Sequence, residues 1–422
     1  MSPTLLTQAP NLIKEDIYGR IIFIFISIFL FFPSANFGLY NSEVFPYAFI
    51  FSILMLRKLY IKDIMFILLF FIFSIISFSF NFNIPGFAFE FFRSVGAYLN
   101  VILIFFVLLH ISQDKIKILL NLSKLIFIGL TILGLLQAYG MSESIGSILQ
   151  FFVPRSSEGM LGGSRGITLL STEPARGGIE YLFLYLLYRF VFLERKYFFV
   201  ADCLIGLAVI FIFKSAVVLL FFLVTLMILY KSKIIFLTLF IFVLSPIILT
   251  IDSRSIILIN QLLASDIDNA LYLLMNTSGN RVFSIWAVTL FSFQYPIGLG
   301  VGNWMESSVI AAELTNYDLS KLNYFRVYGA GEASPFRATG FLMNVAMDFG
   351  LVGFVGFIGT IINRLIPFWK NGHESRSVIL LFLVKICFVG SVGTPVEWVI
   401  VVILLRYFEF SRTTKTTILL KQ

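Results

Sequence analysis

Residues 279–304 read GNRVFSIWAVTLFSFQYPIGLGVGNW and lie at the centre of a polar interruption that extends over residues 252–340. On both sides of this interruption the sequence consists of one long apolar run after another. A membrane protein that keeps so large a polar segment between its spans is expected to carry out recognition or chemistry there. The interruption therefore divides the chain and marks the first place to look for a functional site.

The composition of the chain is that of a membrane protein. Of its 422 residues, 59% are hydrophobic and only 13% are charged, and the mean hydropathy is +0.95. A soluble domain cannot bury that much apolar surface, so the sequence predicts an all-α polytopic membrane protein. The apolar runs are continuous rather than alternating, which excludes an outer-membrane barrel. No internal repeat or linker divides the chain, and residues 1–422 are interpreted as a single transmembrane domain.

About twelve transmembrane helices are predicted from apolar runs of about 20 residues, the length that crosses a bilayer. They lie near 20–38, 43–57, 64–82, 92–111, 118–138, 178–194, 197–213, 215–230, 234–251, 340–362, 377–392 and 395–410. Basic residues fall in alternate connections, and the positive-inside rule places that side, with both termini, in the cytoplasm. The net charge of +8 is assigned to this orientation rather than to nucleic-acid binding. Two large loops, about 140–177 and 252–340, remain on the outer side.

Arginine on the outer side is the most informative departure from the positive-inside rule. A guanidinium group presents a planar fork of donors that matches phosphate oxygens in pairs, whereas an ammonium group acts as a point charge. The pattern therefore favours a phosphate or diphosphate ligand, and the alternative is ordinary ion pairing with loop glutamates. Lys321 is the exceptional lysine of these loops. The arginines are Arg155, Arg165, Arg176, Arg254, Arg281, Arg326 and Arg337, and Arg93 lies at the outer end of the fourth span.

Glu173 is the candidate general base of the first loop. It precedes Pro174 and lies about five residues before the sixth predicted span, so we expect its carboxylate near the membrane surface and partly desolvated. A carboxylate in that position can accept a proton from a bound hydroxyl group. The alternative is that Glu173 caps the start of the sixth span or pairs with Arg176.

The second loop has three predicted parts. Apolar residues at three- and four-residue spacing over 255–275 indicate an amphipathic helix. Asn280 is predicted to cap a second helix that begins at Arg281, where the free amides of a helix start also attract anions. Pro296 ends that helix, and glycines follow in a tight turn of close approach. The remainder, 306–337, is interpreted as either a mobile cover over a sugar-binding groove or plain irregular surface.

Some polar and sulfur-containing residues lie inside the predicted spans. Asp348 and Lys385 are expected to face the interior of the helix bundle, where an ion pair between them would satisfy both, and a structural role is preferred. Cys203 and Cys387 both lie in apolar runs. The sequence therefore predicts neither a disulfide nor a metal site, and no cofactor.

Three motifs resemble those of the O-antigen polymerase/ligase superfamily. They are Arg281-x4-Trp286, the turn PIGLGVG at 296–302, and the approach to the tenth span from Gly340-Phe341-Leu342 to DFGLVG at 348–353. Glu173-Pro174 resembles the glutamate-proline element of the polymerase branch (Wzy). Arg155 and Gly166 have ten residues between them, as in the arginine-x10-glycine motif of these polymerases.

The resemblance implies a GT-C-like glycosyltransferase with two large periplasmic loops in the bacterial inner membrane. Such an enzyme joins undecaprenyl-diphosphate-linked oligosaccharide units by inversion, without a metal ion, and a chain-length regulator protein is a further expected partner. Glu173 would assist the acceptor hydroxyl. Arg281 and Arg165, with Arg155 as a further candidate, would contact the diphosphate. The pattern of outer-side arginines adds Arg176, Arg337 and Arg93 as candidate diphosphate- or substrate-binding residues.

Two other functions remain open. An O-antigen ligase or related polysaccharide ligase would have the same fold, but Arg337 stands where the ligase branch usually has a histidine. The two histidines, His110 and His373, are both predicted on the cytoplasmic side, which favours a polymerase. A lipid-linked oligosaccharide flippase is disfavoured because the spans are mostly uninterrupted and the polar residues gather outside them.

Overall fold

This computed structural model describes residues 17–35, 44–55, 59–81, 86–139, 149, 151–153, 166–230, 261, 266–277, 280–390 and 392–419. Within these residues the protein is mostly helical and has no strand. Helices of the first half are α1 (Ile17–Phe29), α2 (Tyr47–Met55), α3 (Ile61–Asn81), α4 (Phe87–Leu109), α5 (Gln113–Tyr139), α6 (Pro174–Val191), α7 (Phe198–Ala208, continued as a π-helix over Val209–Phe213) and α8 (Ala216–Tyr230). Helices of the second half are α9 (Ile267–Thr277), α10 (Arg281–Gln294), α11 (Trp304–Glu313), α12 (Asn323–Tyr328), α13 (Phe341–Trp369), α14 (His373–Phe388) and α15 (Val396–Leu419). Short 3-10 turns lie at Arg195–Tyr197 and Leu319–Lys321.

A helix lies at every predicted span except 234–251, which is outside the described residues. Among the described residues, five helices are long and apolar enough to cross a membrane, which makes the chain a helical membrane protein. They are Ile61–Phe80, Phe87–Leu109, Gln113–Tyr139, Arg195–Phe213 and Phe341–Trp369. Helices α6, α14 and α15 carry more charged side chains, and these helices line the interior of the bundle. The number of crossings, twelve, stays a prediction.

The centre of the bundle is formed by α4, α6 and α15. Helix α6 is buried along almost its whole length and packs against α5, α8 and α15. The run Val399–Leu405 of α15 is completely inaccessible to solvent. A helix that is apolar on all sides is stable only when it is surrounded by other helices or by lipid. By contrast, α3 exposes many large apolar side chains on its outer face, as expected of a helix in contact with lipid.

The second polar segment forms a small helical unit with its own core. Phe283 of α10 contacts Phe325 of α12 and Phe336, with ring centroids 5.0 and 5.7 Å apart. The expectation of an irregular surface over 306–337 is therefore wrong, because buried apolar side chains hold this segment against α10. The amphipathic helix expected over 255–275 is described from Ile267, and it ends at Thr277. Its earlier part lies largely outside the described residues.

The glycine-rich turn after α10 packs into a kink of α13. Helix α10 ends at Gln294, just before Pro296, as predicted. Gly350 interrupts α13 with φ 61° and ψ −161°, a conformation that only glycine adopts readily. Across this contact the amide of Gly300 donates to the Asp348 carbonyl at 2.9 Å, and the amide of Val352 donates to the Pro296 carbonyl at 3.0 Å. The glycines of the turn therefore allow its backbone to pack closely against the backbone of α13.

Charged contacts separate into two ends of the bundle. At one end, which we call the opposite end, Asp63 pairs with Arg364 and His110. The same end contains the 3.0 Å ion pair between Arg195 and Glu374. The other end, which we call the loop end, contains the starts of α4, α6, α10, α13 and α15 and the described residues 166–173 and 280–340 of the two polar segments. His373, the first residue of α14, also lies at the opposite end, so both histidines are remote from the loops.

Candidate functional site

The predicted site residues that the structure describes form two clusters at the loop end. The first cluster consists of Glu173, Arg176 and Arg281. The second consists of Arg93, Arg337 and two residues that the sequence analysis did not identify, Glu90 and Trp304. Arg155, Arg165 and Arg254 lie outside the described residues.

Glu173 occupies the start of α6 but does not cap it. Its backbone is extended, Pro174 fills the first helical position, and the side chain makes no capping hydrogen bond. Instead, a guanidinium nitrogen of Arg281 donates to Glu173 Oε2 at 3.4 Å. The alternative in which Glu173 caps the helix is therefore wrong, and its hydrogen-bond donor Arg281 belongs to the second polar segment. The Glu173 side chain remains 45% exposed, so it can turn to solvent when another anion takes its place.

Helix α10 begins at Arg281 as predicted, but the reason is not the predicted cap. Asn280 has φ 65°, and in this left-handed conformation its side chain makes no capping bond. Its Nδ2 is buried without a hydrogen-bond partner among the described residues. The helix start is instead supported by Ser284, whose amide donates to the Asn280 carbonyl at 2.8 Å. Arg281 nevertheless stands at the start of the helix, where free backbone amides attract anions.

Arg281 and Arg176 bring two guanidinium groups close together. Burial lowers the pKa of Arg281; the negative charge of Glu173 opposes this effect, and the positive charge of Arg176 adds to it. Arg176 is buried and donates to Thr172 Oγ1 at 3.1 Å. Two partly desolvated cations that repel each other are stabilised by an anion between them. The first cluster is thus suited to a phosphate group.

The second cluster is organised around the carboxylate of Glu90. It receives hydrogen bonds from Arg337 at 3.0 Å and from Trp304 Nε1 at 2.8 Å, and Arg93 lies 3.2 Å away. The Arg337 guanidinium is centred 3.7 Å from the Trp304 ring. Burial and the neighbouring charge of Arg93 lower the pKa of Arg337 to about 10, so the group stays cationic at neutral pH. Sequence reasoning missed Glu90, although its position three residues before Arg93 was a usable signal.

The two clusters are connected through Thr339. Its hydroxyl lies 3.0 Å from Ser284 Oγ and 3.5 Å from the Arg281 carbonyl. Arg337 is two residues away from Thr339, so their Cα atoms are within about 7 Å of each other. Arg281 and Arg337 therefore lie on adjoining parts of one surface at the loop end.

A third group of charges lies beneath the first cluster, inside the bundle. Lys385 Nζ is 3.0 Å from Glu397 Oε2, and the two side chains are 1% and 2% exposed. The predicted ion pair between Lys385 and Asp348 is therefore wrong. Asp348 instead accepts a hydrogen bond from the Tyr98 hydroxyl at 2.6 Å. Lys385 meets Glu397 because α14 and α15 are neighbours. The sequence did carry a signal for Glu397: it is a charge within the predicted span 395–410.

No protein-family model, curated protein or solved structure matches this chain. The function is therefore inferred from the chemistry of the clusters.

Proposed function

We propose that the protein is an O-antigen polymerase, a metal-independent glycosyltransferase that joins undecaprenyl-diphosphate-linked oligosaccharide units. The observation that carries this proposal is the convergence of Arg281 and Arg176 beside Glu173 at the loop end. This arrangement combines two guanidinium groups for a diphosphate with one carboxylate for a hydroxyl. In this proposal the bundle is GT-C-like, the loop end faces the periplasm, and both termini are cytoplasmic.

The reaction that this arrangement supports is displacement of a lipid diphosphate from a sugar. The acceptor hydroxyl oxygen forms a bond to the anomeric carbon, and the bond from that carbon to the diphosphate oxygen breaks. The acceptor proton passes to the Glu173 carboxylate. Negative charge develops on the leaving diphosphate, where the guanidinium groups of Arg281 and Arg176 stabilise it in a partly dehydrated site.

Binding of the diphosphate and activation of Glu173 are linked in this mechanism. In the unliganded protein the Glu173 carboxylate accepts a hydrogen bond from Arg281, so it is engaged with the guanidinium group rather than with an acceptor hydroxyl. A diphosphate that takes over Arg281 releases Glu173 toward the acceptor hydroxyl. Arg337 and Arg93, held by Glu90, extend the positive surface for a second phosphate group or for the second lipid-linked substrate.

A transport function, as in a lipid-linked oligosaccharide flippase, is the second candidate, and one observation favours it. The pair Lys385–Glu397 is an ion pair inside the bundle, and ionisable residues within a membrane often line a transport path. Vesicles with purified protein separate the two functions. Movement of lipid-linked sugar across the bilayer without any lengthening of the sugar chain would contradict the polymerase.

An Arg281→Ala variant tests the polymerase directly. It should lower chain lengthening by about 100-fold or more, the usual cost of losing one preorganised donor to a developing charge. Arg281→Lys should restore little activity, because an ammonium cannot form the bidentate contact. The matched control is Arg326→Ala, since Arg326 is an exposed arginine of the same segment that contacts Asn323. Normal-length polymer from Arg281→Ala would overturn the assignment.

Polysaccharide from a deletion strain distinguishes a polymerase from a ligase. A lipid core bearing a single repeat supports the polymerase. A bare core with long polymer accumulated on its carrier supports a ligase, which would then have to work without a histidine at the loop end.

A further inference from the structure

Residues 282–305 contain no aspartate, glutamate, lysine or arginine, although they belong to the segment that the sequence assigns to an outer loop. They comprise nearly all of α10, the glycine-rich turn over 296–302 and the start of α11. Pro296 and the glycines prevent this stretch from forming one straight transmembrane helix. An apolar helix of 14 residues that ends in such a turn is typical of a re-entrant segment, which enters a membrane and leaves it on the same side.

Helix α10 runs beside α13, parallel to it and inward from the loop end. At the start of α10, the Arg281 carbonyl accepts a hydrogen bond from the Thr339 hydroxyl at 3.5 Å, just before α13 begins. At its end, the Pro296 carbonyl accepts a hydrogen bond from the amide of Val352, which is eleven residues after the start of α13. The two helices therefore advance together by about 20 Å. Because α13 is long and apolar enough to cross a membrane, α10 follows it into the membrane.

Helix α3 gives the depth of the turn relative to the opposite end of the bundle. At that end the ion pair between Asp63 and Arg364 lies close to the membrane surface, since the neighbouring Lys62 is exposed. The Ser77 hydroxyl of α3 donates to the Val301 carbonyl of the turn at 3.3 Å. Ser77 lies fourteen residues after Asp63, which corresponds to about 21 Å of helix.

Helix α13 gives a similar depth. The Gly300 amide donates to the Asp348 carbonyl at 2.9 Å, and Asp348 lies sixteen residues before Arg364, about 24 Å along the helix. Since the hydrocarbon core of a bilayer is about 30 Å thick, this part of the turn lies about 6–9 Å inside the core on the side of the loop end. Phe80 of α3 lies closer to the loop end than the turn and is 83% exposed, as expected if lipid extends past the turn.

The backbone of the turn is suited to this depth. Irregular backbone is stable within a bilayer only where protein groups satisfy its hydrogen bonds. The Pro296 carbonyl and the Gly300 amide bond to α13, and the Val301 carbonyl bonds to α3. The Leu299 carbonyl accepts from Asn303 Nδ2 at 3.1 Å. A side chain at position 300 would collide with α3, so glycine is required for this fit.

The outward face of α10 exposes large apolar side chains. Trp286 and Phe293 stand at positions i and i+7, which share a face of a helix, and Ile297 follows in the turn. These three side chains are 46%, 65% and 76% exposed. Val352 and Val355 of α13 are exposed as well, and Val352 bonds to Pro296, the residue before Ile297. The outward face of α10 is therefore continuous with the exposed apolar face of a membrane-spanning helix.

We propose that α10 and the glycine-rich turn form a re-entrant element whose outward face contacts the acyl chains of the bilayer at the loop end. Measured from Val352, which is about 18 Å along α13 from Arg364, Ile297 lies about 12 Å and Phe293 about 7 Å inside the hydrocarbon core. Trp286 lies at the boundary of the core, where tryptophan is enriched in membrane proteins. This placement goes beyond the proposed polymerase and does not depend on it.

The test is the accessibility of spin labels on the full-length protein in phosphatidylcholine vesicles. Cys203 and Cys387 are replaced by alanine, and a nitroxide is attached to the protein with Phe293→Cys or Ile297→Cys. Collisions of the nitroxide with oxygen, which concentrates in hydrocarbon, are compared with collisions with a water-soluble nickel chelate. The ratio of the two collision rates should be higher at position 297 than at position 293, because position 297 is deeper.

Two reference positions define the scale. Asp318→Cys gives the value for water, since Asp318 is an exposed residue of the same segment. Val355→Cys gives the value for lipid, since Val355 is exposed on α13. The ratio at position 297 should be several-fold higher than at position 318 and close to that at position 355. A ratio equal to that at position 318 would show that the turn lies in water. Few collisions with either reagent would show that protein covers the face, and either result would overturn the proposal.

Fluorescence quenching provides a second measurement that needs no cysteine variant. The emission of Trp286 is obtained as the difference between the wild type and Trp286→Phe in vesicles of brominated phosphatidylcholine. Bromine atoms near the headgroup should quench this emission more strongly than bromine atoms near the end of the acyl chain. Quenching by acrylamide in water without any quenching by either lipid would overturn the proposal. Neither measurement involves chain lengthening, so a failure here leaves the polymerase standing, and a failed polymerase leaves the re-entrant element standing.

Discussion

Replacing Lys385 by methionine is the sharpest test of the buried ion pair. The change keeps an unbranched side chain of similar length and removes the charge that faces Glu397 across 3.0 Å. At that separation Coulomb attraction is about 5.5 kcal/mol for an effective dielectric constant of 20. The desolvation of both groups offsets much of this attraction in the intact pair. The variant, however, leaves Glu397 without its partner at 2% exposure, which should cost about 3–5 kcal/mol of the free energy of unfolding.

The assay is equilibrium unfolding of the purified protein in mixed micelles with an increasing fraction of denaturing detergent. The control is Lys117→Met, because Lys117 is a solvent-exposed lysine 4.0 Å from Asp114. That change should alter the free energy of unfolding by less than about 1 kcal/mol, as for other exposed pairs. A double variant, Lys385→Met with Glu397→Met, removes both charges and should regain most of the stability lost in the single variant.

Two results would refute this reasoning. A loss of less than about 1 kcal/mol in Lys385→Met would show that Glu397 does not depend on Lys385 for charge compensation. A double variant as unstable as the single one would show that the loss comes from packing rather than from an uncompensated charge.

Two further predictions concern glycine packing and the opposite end. Gly350→Ala should destabilise the protein by about 1–3 kcal/mol from backbone strain alone, and by more because a methyl group would overlap the Pro296 carbonyl. The control is Gly356→Ala, which has open space around it and should not destabilise the protein. Thermal melts in detergent compare the two variants. Asp63→Asn should lower the free energy of unfolding by about 3–5 kcal/mol, because the fully buried carboxylate pairs with Arg364. The control Asp114→Asn, at an exposed aspartate, should change the free energy of unfolding by less than about 1 kcal/mol. Equal melting temperatures within either pair of variants would contradict these expectations.

The positions of the helices were largely predictable from the sequence. A helix that lies in a bilayer needs a long apolar run, which is a local property and can be located without knowing the neighbours. The start of α10 at Arg281 and its end before Pro296 were predictable from local signals too, namely Asn280 before the helix and the proline after it. The cause of the helix start was not, because in its left-handed conformation Asn280 makes no side-chain capping bond.

The partners of the charged residues were the least predictable part of the site. Lys385 was expected near Asp348, but the packing of α14 on α15 brings it to Glu397. Glu90 was not identified, since its role depends on Arg337, which is 247 residues away. The helical content of 306–337 was hidden because that segment has a polar composition and a core built from a few scattered aromatic residues.

By itself, the sequence determined that this is a helical membrane protein with arginines concentrated in two polar segments, because composition and run length are local properties. Only the tertiary structure decided which groups meet: Arg281 with Glu173 across 108 residues, and Arg337 with Glu90. The physical reason is that helices pack through apolar surfaces, and such a surface can pack against many different helices. The charged contacts at their ends therefore depend on the single arrangement in which all the helices pack together.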